Sequence, residues 1–104
     1  MDVKEYVKVC RVEDLKEAYA IVFEVMGKKI LVAMENGQVY AIDNTCTHDN
    51  GAIGQSRVVQ GEVQCPRHGA RFDIKSGRAT QLPAIMDIKT YKTKVENGDV
   101  LVSL

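Results

Sequence analysis

Two short segments of the chain each place a histidine close behind a cysteine. One residue lies between Cys46 and His48, and two lie between Cys65 and His68. Thiolate sulfur and imidazole nitrogen are both common metal ligands in proteins. Because sixteen residues separate His48 from Cys65, the four side chains cannot come from one local turn. Two loops that clamp one polynuclear metal centre, each loop supplying one thiolate and one imidazole, satisfy this spacing.

The segments around these loops alternate apolar and polar side chains, as β-strands do. Tyr19, Ile21, Phe23 and Val25 share one face of a run that predicts a strand with one buried face. One or two helical turns are expected near residues 12–17. The many short strands predict an all-β sandwich or barrel. The candidate strands are 5–10, 18–26, 28–35, 38–42, 57–60, 62–65, 70–73, 86–95 and 99–103.

Turn-forming pairs separate several of these strands. Asn36-Gly37 and Asn97-Gly98 suit tight hairpins, because both residue types tolerate positive φ. Met26-Gly27 is a third predicted turn.

The middle of the chain differs in composition from its ends. Residues 44–83 hold five of the eight glycines, both prolines, both histidines and two of the three cysteines. Glycine permits backbone conformations that other residues resist, so this stretch predicts loops wrapped around a ligand. We expect a single domain over residues 1–104, with a base scaffold of 1–43 and 84–104 and a ligand-binding subdomain of 44–83.

Charge and hydropathy exclude some classes of protein. The formal net charge is zero, whereas a nucleic-acid binder normally carries a basic excess. No apolar run is long enough to span a bilayer, and the first residues lack the apolar stretch of a signal peptide. An odd number of cysteines favours metal ligation or packing over a disulfide framework. We expect a cytoplasmic protein that binds neither membranes nor nucleic acid.

The ligand pattern resembles the Rieske family, whose signature is Cys-x-His followed, after a spacer of this length, by Cys-x-x-His. The resemblance covers the whole chain in size and strand layout, and its motifs lie within residues 46–73. It implies a Rieske-like antiparallel β-sandwich or barrel with a small cluster-binding subdomain, and one Rieske-type [2Fe–2S] cluster per chain. By this resemblance Cys46 and Cys65 bind one iron, and His48 and His68 bind the other.

Two alternatives to the cluster stay open at this point. Zinc also accepts two cysteines and two histidines, although zinc fingers usually begin with a Cys-x₂₋₄-Cys pair and end with paired histidines. The pattern could also be a coincidence without any metal. An absorption spectrum separates these cases, because zinc is colourless.

The resemblance implies an electron carrier rather than an enzyme. Once both histidines are cluster ligands, none is left for a mononuclear iron triad, and the chain has no Gly-x-Gly-x-x-Gly motif for a flavin or nicotinamide. We expect a Rieske-type ferredoxin that passes single electrons from a reductase to the terminal oxygenase of an aromatic-ring dioxygenase, through transient contacts with both. The alternatives are the small Rieske-like subunit of an assimilatory nitrite reductase and a redox sensor.

Four residues near the ligands predict a low reduction potential. In respiratory Rieske proteins, the matching positions hold two cysteines that form a disulfide, and a serine and a tyrosine that donate hydrogen bonds to sulfur. Here these positions hold Gly51, Arg67, Ala70 and Phe72. Without the hydroxyl donors, negative charge on sulfur is less stabilised and reduction is harder.

Three further residues and a loop complete the expectations from the sequence. Asp49 and Arg67 flank the ligands and are candidates for a docking face. The segment around Pro83 resembles the loop that covers the cluster in Rieske proteins. Cys10 lies far from the ligands in the sequence and is expected to be a small buried apolar residue.

Overall fold

A computed structural model describes residues 5–104, which form ten strands and one 3₁₀ turn, Val12–Asp14. The predicted all-β class is confirmed. No helix in the described residues is long and apolar enough to cross a membrane. The strands are β1 (Tyr6–Arg11), β2 (Tyr19–Val25), β3 (Lys28–Glu35), β4 (Gln38–Asp43), β5 (Ser56–Arg57), β6 (Glu62–Gln64), β7 (Arg71–Asp73), β8 (Ala79–Gln81), β9 (Thr90–Glu96) and β10 (Asp99–Ser103).

The strands form two antiparallel sheets. Seven of them, in the order β1-β10-β9-β4-β3-β2-β5, make a sheet that curls into a half-barrel. The other three, in the order β6-β7-β8, make a small sheet within the segment that joins β4 to β9. Strand β5 also belongs to that segment but pairs with β2. We call residues 44–83 the ligand-bearing segment. It is attached to the large sheet where it leaves β4, where β5 pairs with β2, and through residues 84–89, which lead into β9.

The predicted hairpin turns are present. Asn36 and Gly37 have φ angles of 53° and 75°, and Asn97 and Gly98 have φ angles of 51° and 81°. The Met26-Gly27 turn shows the same pair of positive values, 50° and 81°. Two consecutive positive φ angles are typical of the type I′ turn, whose twist suits the antiparallel strands that flank it.

The buried apolar side chains form two clusters, one on each face of the central strands. Ile30 and Val32 belong to a base core together with residues of β9 and β10. Leu31 and Ala33, which alternate with Ile30 and Val32 along β3, belong to a ligand-side core. This core also includes Phe72 and both cysteines of the motif. Successive residues of a strand point to opposite faces, so β3 contributes to both cores.

The prediction that β2 buries only one face is wrong. Ile21 and Phe23 pack against the base core as expected, but Ala20 and Val22 on the opposite face pack against the ligand-side core. Ala20 is completely buried. Small side chains on this face leave room for the ligand-bearing segment, which covers the sheet where solvent was expected.

The predicted strand at 86–95 begins only at Thr90. The Lys89 carbonyl still accepts from the Asp43 N–H of β4, but the backbone before it bonds to the ligand-bearing segment: the Ile88 N–H donates to the Gly77 carbonyl, and the Met86 carbonyl accepts from the Thr47 hydroxyl. Strand β8 was not predicted, because its sequence Ala-Thr-Gln lacks apolar alternation. The predicted strand at 57–60 is shorter, since its second half forms the turn into β6.

Candidate metal centre

The first ligand loop, residues 46–51, is closed by two hydrogen bonds between its ends. The Cys46 N–H donates to the Gly51 carbonyl at 2.8 Å, and the Cys46 carbonyl accepts from the Asn50 N–H at 2.8 Å. Asn50 has a φ of 61°, in the left-handed region that asparagine enters more easily than most residues. This backbone path fixes the direction in which the loop presents its side chains.

The second ligand loop, residues 65–70, repeats the same pattern. The Cys65 N–H donates to the Ala70 carbonyl at 2.7 Å, and the Cys65 carbonyl accepts from the Gly69 N–H at 3.1 Å. Gly69 has a φ of 79° and occupies the same fifth position as Asn50 in the first loop. The two loops therefore have the same length and the same closing bonds, although they differ in sequence.

The cysteines of the two loops meet in the ligand-side core. Cys46 and Cys65 are both completely buried and both free thiols. Burial raises the pKa of the Cys46 thiol, while hydrogen bonds from the backbone N–H groups of His48 and Asp49 to its sulfur lower that pKa. Amide donors that point at a buried sulfur favour its thiolate form, which is the form that binds metals.

The histidines of the two loops meet at the surface. The ring centroids of His48 and His68 lie 5.0 Å apart, with the ring planes at 86° to each other. Both residues are exposed, whereas the two thiols beneath them are not. The four candidate ligands thus run from a buried pair of sulfurs to a surface pair of imidazoles.

The grouping of the donor atoms distinguishes between a zinc ion and a two-iron cluster. A tetrahedral zinc ion takes all four donors at about 2.0–2.3 Å, so every pair of donors must lie close together. In residues 5–104, the sets of donors within 4.8 Å of one another contain either the two thiols or the two imidazoles, each with Asp49, and never both kinds of ligand. This arrangement fits a centre with one cysteine-bound and one histidine-bound metal.

Asp49, although close to both pairs, is already engaged by Arg67. The Arg67 guanidinium donates from Nε to Asp49 Oδ2 at 2.5 Å and from Nη2 to Oδ1 at 2.8 Å. This contact holds the pKa of the Asp49 carboxyl well below its usual range and raises that of Arg67. Both residues were predicted to contribute to a docking face, and their pairing was not predicted. Their opposite signs beside the two candidate ligand histidines are the one signal of it in the sequence.

Three other residues that the sequence singled out lie in the two buried cores. Ala70 and Phe72 are completely buried in the ligand-side core beside the cysteines. Cys10 lies in the base core, on the other side of the sheet, and burial raises its pKa to about 11. It is the small buried residue that the sequence predicted and is not part of the ligand set.

The proline loop, residues 82–86, lies against the first ligand loop. The Thr47 hydroxyl donates to the Met86 carbonyl at 2.6 Å, and Ala84 is buried in the ligand-side core. The side chains of Leu82, Ile85 and Met86 are 72%, 82% and 65% exposed. An exposed apolar rim therefore lies beside Thr47, the residue that precedes His48.

The chain is similar to known proteins in both sequence and structure. Residues 5–92 match the Rieske [2Fe-2S] domain. The ferredoxin component of the naphthalene 1,2-dioxygenase/salicylate 5-hydroxylase systems of Ralstonia sp. is 33% identical over 97% of each chain. The solved ferredoxin of carbazole 1,9a-dioxygenase from Nocardioides aromaticivorans is 31% identical, with a TM-score of 0.87 over 94% of this chain and 96% of its own. A solved nitrite reductase small subunit is 20% identical (TM-score 0.79, over 96% of this chain and 99% of its own), which shows a common fold alone.

Proposed function

The chain belongs to the Rieske [2Fe–2S] domain family, and on that premise we propose that it is a one-electron carrier, the ferredoxin component of a ring-hydroxylating dioxygenase system. The observation that carries this proposal is the separation of a buried thiol pair from a surface imidazole pair. Cys46 and Cys65 would hold one iron and His48 and His68 the other. Residues 44–83 act as the cluster-binding part of a single domain, on a base formed by residues 1–43 and 84–104.

Each side chain of the site has a distinct part in this function. The bound cluster supplies a centre that stores and releases one electron. Because Cys46 and Cys65 have no exposed surface, water does not reach the sulfur side of the site. Because His48 and His68 are exposed, their rings would provide a surface route between that centre and a partner protein. These roles are those of an electron carrier that serves an enzyme and does not itself catalyse a reaction.

The partners follow from the dioxygenase systems in which the relatives are named as ferredoxin components. A reductase donates electrons to this chain and a terminal oxygenase accepts them, both by transient contact in the cytoplasm. The rim formed by Leu82, Ile85 and Met86 would be covered by either partner as it approaches the histidines. Small, partly apolar contacts of this kind suit a carrier that must dissociate after each transfer. The nitrite reductase alternative is less supported, because its likeness extends to the fold alone.

Transfer to an oxygenase tests this function directly. With the reductase and oxygenase of a naphthalene-type system, the purified protein should carry electrons, and Ile85→Asp should lower the rate of oxygenase reduction about tenfold. The added charge must give up part of its hydration when the rim is covered, and a cost of about 1.4 kcal/mol is enough for a tenfold loss. The reduction potential should not change, since Ile85 is 82% exposed and is not a ligand.

Val95→Asp is the matched control for this experiment. Val95 is also an exposed apolar residue, 47% exposed, but it lies near the far end of β9. The strand begins at Thr90, the end that follows the rim in the chain, and at about 3.3 Å per residue Val95 lies about 17 Å along the strand from it. The Val95→Asp variant should transfer electrons to the oxygenase at the rate of the unaltered protein. Equal rates for both variants would contradict the docking role of the rim, and no transfer by the unaltered protein would contradict the carrier function.

The reduction potential should lie near the low end of the Rieske range, at about −150 mV. The residues that replace hydroxyl donors, Ala70 and Phe72, are buried beside the cysteines and offer no side-chain hydrogen bond to sulfur. Negative charge that develops on sulfur during reduction is therefore stabilised mainly by backbone amides. Direct voltammetry of the purified protein measures this quantity, and a value well above 0 mV would contradict the argument.

A further inference from the structure

The ion pair between Asp49 and Arg67 joins the two ligand loops. Asp49 directly follows His48 in the first loop, and Arg67 directly precedes His68 in the second. The contact is bidentate, with Nε and Nη2 donating to different carboxylate oxygens at 2.5 and 2.8 Å. Paired hydrogen bonds between charged groups are stronger than neutral ones and fix the relative orientation of the two side chains.

Further bonds tie both side chains to the backbone of the first loop and the residue after it. Asp49 Oδ1 accepts from the Gly51 N–H at 2.9 Å, and Arg67 Nη1 donates to the Ala52 carbonyl at 2.5 Å. Neither side chain can therefore rotate freely about its partner. Apart from the contact between the two thiols, no other hydrogen bond joins residues 46–52 to 65–70 in the part of the chain that the structure describes.

Gly51 provides the space that this arrangement needs. A Cβ atom at Gly51 would lie 2.7 Å from Arg67 Nη2 and 2.8 Å from Cζ, closer than real contacts allow. The φ of Gly51 is not in the left-handed region, so its backbone could be adopted by other residues. A side chain at position 51 would therefore displace the guanidinium, so glycine is needed to keep Arg67 in this position and not because of the backbone angle.

We propose that Asp49 and Arg67 form a loop clamp that sets the distance and the relative orientation of His48 and His68. Both are positioning residues, because each acts through the histidine next to it in the chain. An isolated surface ion pair contributes little to global stability. The clamp should therefore affect the retention of the cluster and the geometry of its histidine ligands more than the unfolding of the domain. This inference rests on the ligand assignment of the proposed function.

A double-mutant cycle on the cluster-loaded protein tests the clamp. Asp49→Asn, Arg67→Gln and the double variant should each lose visible absorption in the presence of an iron chelator about tenfold faster than the unaltered protein. The double variant should be no faster than either single variant, because residues that act as one unit are not additive. Gly51→Ala leaves both charges in place but fills the guanidinium's space, and it should behave like Arg67→Gln.

Arg71→Gln is the matched control. Arg71 approaches Glu62 only at 4.0 Å, in the small sheet, and its loss should change the rate by less than twofold. A second readout is the electron paramagnetic resonance spectrum of the reduced protein, whose g values should shift or broaden in the clamp variants and not in the control. A purely structural role would speed cluster loss without moving the g values of the protein that remains loaded.

Two results separate the clamp from the function on which it rests. Unchanged loss rates and g values in all clamp variants, or fully additive effects in the cycle, would overturn the clamp while leaving the carrier function intact. A wild-type protein without a mixed cysteine/histidine [2Fe–2S] spectrum would overturn the ligand assignment instead.

Discussion

Replacing His68 by cysteine should prevent stable cluster assembly or lower the reduction potential by about 100 mV or more. A thiolate brings a negative charge where the imidazole brought none, so adding an electron to the centre becomes harder. All-cysteine plant-type clusters lie near about −400 mV, against about −150 mV at the low end of the Rieske range. The two cluster types differ by two ligand charges, and His68→Cys changes one of them. About half of the difference in potential, on the order of 100 mV, is therefore expected.

Voltammetry and electron paramagnetic resonance of the purified variant measure this effect. The average g value should rise toward that of all-cysteine clusters in any protein that retains its colour. Lys16→Cys is the control, since it adds a thiol at an exposed position before β2 and outside both ligand loops. An unchanged spectrum and potential in the His68 variant would show that this histidine is not a ligand.

Replacing Gly77 by alanine should lower the free energy of unfolding by about 2–5 kcal/mol. Gly77 has a φ of 76°, which costs an L-residue about 1–2 kcal/mol. A Cβ atom there would also overlap the Ile88 carbonyl oxygen and lie 2.9 Å from Thr90 Cγ2. Relieving such an overlap by backbone movement costs about another 1–3 kcal/mol. The movement would disturb the 2.7 Å hydrogen bond from Ile88 that holds the end of the ligand-bearing segment.

Gly54→Ala separates the two causes of this destabilisation. Gly54 has a similar φ of 82°, but a Cβ atom there would meet nothing within 4 Å. It should show only the backbone cost of about 1–2 kcal/mol. Urea unfolding of both variants, followed by circular dichroism under identical cluster loading, gives the comparison. Equal losses of stability would mean that the contact at Ile88 is relieved without cost.

The parts of the structure that the sequence predicted well are those set by local chemistry. The Asn-Gly pairs at 36–37 and 97–98 adopt the two positive φ angles typical of type I′ turns, because each pair lies directly between two antiparallel strands and both residue types tolerate positive φ. Alternating apolar residues likewise placed β2, β3 and β10 within one residue of their observed bounds. The spacing of the cysteines and histidines predicted two loops, and the structure brings the two thiols together and the two imidazoles together, with Asp49 close to both pairs.

The parts that the sequence did not predict depend on contacts between distant segments. Residues 86–88 look like part of a strand in sequence, but the Ile88 N–H bonds to Gly77 and the Met86 carbonyl bonds to Thr47, both in the ligand-bearing segment. The second buried face of β2 exists only because that segment folds back over it. The pairing of Asp49 with Arg67 spans eighteen residues and requires both loops to be in place. No local pattern carries information of this kind.

The matching closure of the two ligand loops has a consequence for how such chains can vary in length. Each loop is a six-residue ring whose first residue is the cysteine and whose last two residues supply the closing bonds. An insertion or a deletion inside either ring would leave a buried amide or carbonyl without its partner and would turn the histidine away. The stretch between the rings meets no such condition, because it needs only to bring the second cysteine back beside the first. Natural length variation should therefore be concentrated between the loops and be absent within them.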